Sequence, residues 1–247
     1  MTPRRPFARV PPLLYKEWRE LRTNRSILFS MAMVPGLLVG LMIATAVFIT
    51  RVDAAELAHH GRSELHTRSA RLDVDLPEEL RGFGASGALL ALLNDQFVLY
   101  LLLIPIAIPS AIAAYSIAGE REARTLEPLL ATPIETGELL LAKAIAAALP
   151  AVVLTWLAYV IGCAGEATVV SPAVLALLLR PTWLLSMSLL VPLLALLSTL
   201  LGTIASSRFT DPRAAQSVSA LVVLPIVGMG IGVLVGRLLL SASAIAL

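Results

Sequence analysis

The chain alternates between long apolar runs and shorter polar segments. Five of the runs contain no Asp, Glu, Lys, Arg or His, and they cover 27–50, 97–118, 144–163, 183–205 and 218–236. Because a bilayer core about 30 Å thick is crossed by roughly 20 helical residues, each run is long enough to span a membrane. One charge in the middle of such a helix costs about 2.5–3.5 kcal/mol, so the pattern predicts five transmembrane helices.

Composition agrees with a membrane protein. Of the 247 residues, 57% are hydrophobic and 15% are charged, and the mean hydropathy is +0.84. A soluble domain has a hydrophobic share of about 45–50%. The predicted fold class is therefore all-α, a polytopic transmembrane helical bundle with five visible spans that form one domain over 1–247. The single cysteine, Cys163, excludes an internal disulfide and a cysteine-based metal cluster.

The distribution of basic residues predicts the orientation. With the N-terminus in the cytoplasm, twelve of the nineteen Lys and Arg residues fall on the cytoplasmic side, as the positive-inside rule requires. This orientation places 119–143 in the cytoplasm and 51–96 outside it. The outer segment holds five arginines against eight acidic residues, and we expect it to form a small extracytoplasmic loop domain. The chain is thus expected in the inner (plasma) membrane of the cell as a multi-pass protein.

A basic amphipathic segment, "LLYKEWRELRTNR", precedes the first span. Its apolar residues recur at i, i+4 and i+7, and they are Leu14, Trp18 and Leu21. The polar residues Lys16, Arg19 and Arg22 lie mostly on the other face. This pattern predicts an interfacial helix over 10–26 with Trp18 at the depth of the lipid headgroups. The alternative is a basic flank that serves only to orient the first span.

Little in the chain points to catalysis or metal binding. No serine, threonine or cysteine is paired with a general base in a known pattern, and His59, His60 and His66 lack the spacing of a zinc motif. The chain also lacks the glycine-rich G-x4-G-K-[ST] loop that holds nucleotide phosphates. We therefore expect no catalytic residue, no metal and no cofactor on this chain, and no role as an enzyme.

Two sets of residues inside the spans have alternative roles. Four hydroxyl side chains are candidates for a substrate path or for hydrogen bonds between helices, and they are Tyr100, Tyr115, Thr155 and Tyr159. Three glycines four residues apart predict close helix packing, and they are Gly228, Gly232 and Gly236. Their partner is either a helix of the same chain or a second copy.

A charged segment, "EREARTLEPLLATPIE", separates the second and third apolar runs. Thr125 is suited to cap a short helix over 126–131, with Pro128 in its first turn. Three leucines form one apolar edge of that helix, at 126, 129 and 130. Thr132, Pro133 and Glu135 then give the start signal of the next helix. A helix of two turns that presents leucines to the cytosol favours docking of a protein partner, and the alternative is a helix that rests on lipid headgroups.

Three segments resemble the type 2 ABC-exporter permeases, in the right order and over nearly the whole chain. They are "YKEWRELRTNRSIL", "AGEREARTLEPLLATPIETGELLLAK" and "SSRFTDPRAAQ". The resemblance implies that the short cytoplasmic helix couples the chain to a separate ATPase subunit. By position, the docking role falls on Glu120, Arg121, Arg124, Leu126, Glu127, Leu129 and Leu130, and the interfacial helix contributes Lys16, Glu17, Trp18 and Arg19.

The resemblance also implies a function and partners. The chain is expected to be the permease subunit of an ATP-driven exporter, in a homodimer with a second permease copy and in contact with membrane lipids. ATP and Mg are expected on the partner ATPase, and no nucleic acid is expected. The alternative is a non-transporting membrane scaffold or regulatory anchor. Absence of charge in the five runs favours an apolar or amphipathic cargo over an ion.

The number of spans departs from the family. Its members usually have six spans with both ends inside, whereas five are visible here. Either a sixth helix is missing from this chain, or the stretch 171–205 holds an extra short re-entrant piece. The pair Arg180 and Pro181 interrupts that stretch.

Overall fold

The computed structural model describes residues 10–23, 25–60, 83–110, 112–113 and 136–208, together with Gly228 and Gly232. Within these residues, helices are joined by short turns and no β-strand occurs. The all-α fold class is therefore confirmed.

Seven α-helices follow one another in the described part of the chain. The first four are α1 (Val10–Thr23), α2 (Arg25–His60), α3 (Gly84–Leu101) and α4 (Thr136–Glu166). After them come α5 (Pro172–Leu178), α6 (Pro181–Leu185), a π-helical turn (Ser186–Leu190) and α7 (Val191–Arg208). Residues 104–110 continue in helical conformation after a turn at Leu102 and Leu103.

Four stretches are long and apolar enough to cross a membrane. They are Met31–Ala54, Ser86–Ser110, Leu140–Glu166 and Pro172–Ser206. A multi-pass membrane protein is thereby supported at this level. The predicted fifth span, 218–236, lies outside the described residues except for Gly228 and Gly232, and the interfacial position of α1 and the extracytoplasmic loop domain stay predictions.

The helices extend beyond the uncharged runs from which they were predicted. The second candidate span begins at Ser86, whereas the sequence placed 86–96 in the extracytoplasmic segment. Helix α2 continues past 50 to His60, and α4 continues past 163 to Glu166. A search for uncharged runs ends at the first ionisable residue, but a helix continues past one when that side chain finds a partner.

The stretch 171–205 contains a short extra helix. Such a piece was one of the two explanations for finding five spans where the family usually has six. Helix α5 has 7 residues, too few to cross a bilayer. The hydroxyl oxygen of Ser171 caps it by accepting from the backbone N–H of Val174, and Pro172 occupies its start. Pro181 starts α6 in the same way, because a proline costs no hydrogen bond in the first helical turn.

A π-helical turn, Ser186–Leu190, lies between α6 and α7. Pro192 is the second residue after it and has no N–H to donate to the preceding turn. The indole Nε1 of Trp156 donates to the carbonyl oxygen of Met187 over 2.7 Å. A neighbouring helix thus satisfies a backbone acceptor within an irregular, apolar stretch, which is how membrane helices tolerate proline.

The chain divides into two compact units. One comprises Met1–Pro35, Leu102–Trp156 and Met187–Ile226, and the other comprises Gly36–Leu101, Leu157–Ser186 and Val227–Leu247. The second unit has a buried cluster of Ala46, Leu90, Val170 and Val174. A smaller cluster of Ala88 and Ala91 packs against Leu177, so α3 lies directly on α5.

In the first unit, α7 closely approaches the helical residues 104–110 and 112–113. A Cβ atom placed at Gly202 would lie 2.8 Å from the carbonyl oxygen of Ser110 and 2.9 Å from the Cβ of Ala113. One turn earlier, the hydroxyl of Ser198 donates to the carbonyl oxygen of Ile106. Small and hydroxylated residues therefore form this contact, as is usual where membrane helices pack closely.

This close approach gives a testable prediction. Replacing Gly202 by Ala should lower the free energy of unfolding by about 1–3 kcal/mol, because the added methyl group meets backbone that cannot move aside. The control is Gly40→Ala on an exposed face of α2, where an added Cβ meets no atom within 4 Å. It should leave stability unchanged or raise it by about 0.5–1 kcal/mol. Thermal unfolding in one detergent compares the variants, and equal midpoints would contradict the packing described.

Candidate functional site in the membrane helices

The predicted ATPase-docking residues lie outside the described part of the chain. They are Glu120, Arg121, Arg124, Leu126, Glu127, Leu129 and Leu130. Tyr115 and Gly236 lie outside it as well. Their roles stay predictions.

Helix α1 presents the predicted interfacial residues. Lys16 and Arg19 are exposed, and the indole of Trp18 keeps 39% of its surface exposed. Glu17 lies in the same helical turn. An exposed aromatic ring between basic side chains is suited to a headgroup region or to a protein partner, and the structure leaves both roles as predictions.

The predicted substrate-path hydroxyls make hydrogen bonds within the chain. Tyr159 is buried, and its hydroxyl donates to the carbonyl oxygen of Leu178, which ties α4 to the end of α5. Thr155 is 0% exposed and donates to the carbonyl oxygen of Ala151 in its own helix over 2.8 Å. Tyr100 is half-buried. For Tyr159 the geometry is that of a bond between helices, the more usual of its two predicted roles.

The two described glycines of the predicted packing motif are exposed. Among the described residues, no atom lies within 4 Å of a Cβ atom placed at Gly228 or Gly232. Most of the surrounding segment lies outside the described residues, so close packing at these glycines, against a helix of the same chain or a second copy, stays a prediction.

One polar contact that the sequence did not reveal centres on Asp95 in α3. Its Oδ1 accepts from Nη2 of Arg180 over 3.3 Å and from the indole Nε1 of Trp183 over 3.0 Å. The Nε of Arg180 also donates to the carbonyl oxygen of Leu177 over 2.9 Å. One carboxylate thus fixes the junction of α5 and α6 against α3, and we call these residues the Asp95 junction.

A second polar contact joins α3 to the end of α4. The side-chain amide of Asn94 donates to Oε2 of Glu166 over 2.5 Å. Asn94 is 2% exposed and Glu166 is 0% exposed. Asn94 and Glu166 lie 72 positions apart in the chain, so no local sequence pattern marks them as partners.

A signal for α3 was nevertheless present in the sequence. The polar residues "NDQ", at 94–96, stand between the apolar runs "ALLALL" and "FVLYLLLI". They interrupt one continuous apolar segment, whereas a loop would have replaced it by polar and turn residues. An amide and a carboxylate inside such a segment predict partners on neighbouring helices.

The prediction that the spans lack ionisable groups needs correction. The candidate spans contain six ionisable residues of the Asp, Glu, Lys and Arg types, and they are Arg51, Asp53, Asp95, Lys143, Glu166 and Arg180. Asp95 and Arg180 are bonded to each other, which makes these two charges tolerable in an apolar surrounding. Lys143 is buried. Absence of charge therefore no longer counts against an ionic cargo.

Comparison with known families identifies the class of protein. The family model described as "ABC-2 family transporter protein" matches residues 61–245. The match covers well over half of the chain, and the chain belongs to this family of transporter permeases. The resemblance drawn from the sequence motifs is thereby confirmed. Comparison with curated proteins and with solved structures gives no match.

The Asp95 junction gives a testable prediction. Replacing Arg180 by Met should lower the free energy of unfolding by about 1–3 kcal/mol, because Asp95 keeps its charge and loses a charged donor. The double variant Asp95→Asn, Arg180→Met should lose less than the sum of the two single changes, since it leaves no unpaired charge. Thermal unfolding in detergent measures all three variants.

The matched control for this series is Arg51→Met, which removes an exposed arginine from α2. It should shift the unfolding midpoint little, because exposed charges contribute about 0–1 kcal/mol. Additive losses in the double variant would show that Asp95 and Arg180 do not stabilise each other.

Proposed function

We propose that the chain is the membrane-spanning permease subunit of an ATP-driven exporter, and that it couples ATP hydrolysis on a separate ATPase subunit to export of a substrate. Membership of the ABC-2 transporter family carries this proposal. The four candidate spans and the cytoplasmic segment "TLEPLLATP" support it.

The proposed mechanism is mechanical. ATP binding closes the ATPase subunits, the short helix over 126–131 transmits the displacement, and the spans rearrange to open a path outward. Helix α4 is the helix that follows the predicted start signal at 132–135 in the sequence. Its 31 residues are more than the roughly 20 that cross a bilayer.

A displacement of α4 would affect the bonds near its C-terminal end, at Tyr159 and Glu166. Glu166 bonds Asn94 of α3 there, and Tyr159 bonds the end of α5. A shift of α4 along its axis must therefore break these two bonds or move α3 and α5 with it. This arrangement supports α4 as the element that links the cytoplasmic segment to the remaining helices.

The proposed assembly is a homodimer of this permease with two ATPase subunits, which carry ATP and Mg. The proposed location is the inner (plasma) membrane with the N-terminus in the cytoplasm. An apolar or amphipathic cargo is proposed, and an ion is the alternative, against which the candidate spans no longer argue because they contain ionisable residues. Flux of a labelled lipid and of sodium into vesicles that contain the complete complex distinguishes the two.

The docking role gives a prediction. A chain that carries Arg121→Glu, Arg124→Glu and Leu129→Asp should lose the ATPase subunit on pull-down from mild detergent by at least about tenfold. Two reversed charges and a lost apolar anchor together exceed the 1.4 kcal/mol that a tenfold change requires. ATP hydrolysis by the co-purified material and its subunit composition measure the loss.

The control is Arg51→Glu, a charge reversal at an exposed position of α2 on the predicted outer side. It should retain the ATPase in full. Retention by the triple variant would exclude the docking surface. Retention of an ATPase by the unchanged chain without transport of any cargo would favour the membrane scaffold.

A further inference from the structure

The carboxyl group of Glu166 has an unusual surrounding for an acidic side chain. It is 0% exposed, and its Oε2 accepts from the amide of Asn94. Its other oxygen, Oε1, is buried and has no hydrogen-bond partner among the described residues. One neutral donor is thus the whole of the polar contact that the described residues offer this carboxyl.

The neighbouring charges do not compensate a carboxylate at this position. On its own helix, the nearest titratable group is the thiol of Cys163, one turn earlier. Asp95, the residue after Asn94 in α3, is bonded to Arg180 of the α5–α6 turn. Within the described residues, no cation forms an ion pair with Glu166.

The third helix near this end of α4 is apolar. A Cβ atom placed at Gly162 would lie 3.2 Å from the sulfur of Met42, and one at Gly165 would lie 2.3 Å from Cδ1 of Ile43. Helix α2 therefore packs closely on α4 at Gly162, one turn before Glu166, and at Gly165, the residue before it. The side chains that α2 places there are the apolar Met42 and Ile43.

The position of Glu166 at the end of α4 also disfavours a charged carboxylate. Glu166 is the last residue of α4, and its carbonyl oxygen already accepts from the backbone N–H groups of Val169 and Val170. The end of a helix carries a partial negative charge that disfavours another negative charge beside it. An ionised and buried carboxylate costs several kcal/mol, and one neutral amide donor does not offset that cost.

We infer that Glu166 is a proton-binding site of the membrane helices. In the packed arrangement its carboxyl is neutral, with the proton on Oε1 while Oε2 accepts from Asn94. Release breaks the O–H bond and passes the proton to water, which requires the contact of α4 with α2 and α3 to open. Uptake reverses these steps and neutralises the carboxylate, so that the contact closes again.

This inference goes beyond the proposed exporter function and does not depend on it. Neither an ATPase nor a cargo enters the argument. It assigns the chain a ligand, the proton, whose binding is linked to movement of α4 against α3.

The test is infrared spectroscopy of the purified full chain in phosphatidylcholine vesicles at neutral pH. The carbonyl stretch of a protonated carboxyl should be present, should shift when the chain carries carbon-13 glutamate, and should not shift with carbon-13 aspartate. Exposed glutamates are ionised at this pH, since their ordinary pKa is about 4.3, and do not contribute. Absence of a glutamate-shifted band in the unchanged chain would overturn the inference.

Two variants test whether the infrared band of the protonated carboxyl comes from Glu166. Glu166→Gln should abolish it, because the amide keeps the shape and removes the proton. Glu138→Gln, which changes a buried carboxyl at the other end of α4, should retain it. A band that persists in a folded Glu166→Gln variant would overturn the inference. If the Glu166→Gln variant does not fold, a glutamate band that the Glu138→Gln variant retains supports the inference, and absence of a glutamate band in the unchanged chain overturns it.

Discussion

Polar groups inside a membrane have no water to bond, and this constraint governs the structure. In the described residues, side chains from neighbouring helices bond the backbone at or near three irregular stretches. Trp156 donates to the π-helical turn at Met187, and Tyr159 donates to the end of α5 at Leu178. Ser198 donates to Ile106 just after the turn at Leu102 and Leu103. Irregular backbone is thus stable in an apolar surrounding because neighbouring helices supply its missing donors.

The same constraint explains where the ionisable side chains lie. Asp95 and Arg180 neutralise each other and hold the α5–α6 junction on α3. Glu166 has the amide of Asn94 as its described donor, and a proton completes the balance of charge. Both contacts use α3, so this helix orders the second unit. A movement of α4 therefore affects α3 through a bond whose strength depends on a proton.

Much of the fold was predictable from the sequence, because the bilayer fixes the length and polarity of a spanning helix. The all-α class and the family followed from the apolar runs and from the segment "TLEPLLATP". The start of the second span at Ser86 was not predictable in this way, since the uncharged run in the sequence begins only after Asp95. The partners of Asp95 and Glu166 lie 85 and 72 positions away. Such pairs form between different helices, and the periodicity of a single helix does not predict them.

The account depends on contact between the cytoplasmic segment and an ATPase, and photocrosslinking tests that contact most directly. A photoreactive amino acid at position 129 is irradiated in native membranes, with position 193 on an exposed face of α7 as the control. The account predicts that position 129 forms an adduct with a nucleotide-binding subunit and that position 193 does not. Adducts of position 129 with lipid alone would contradict it.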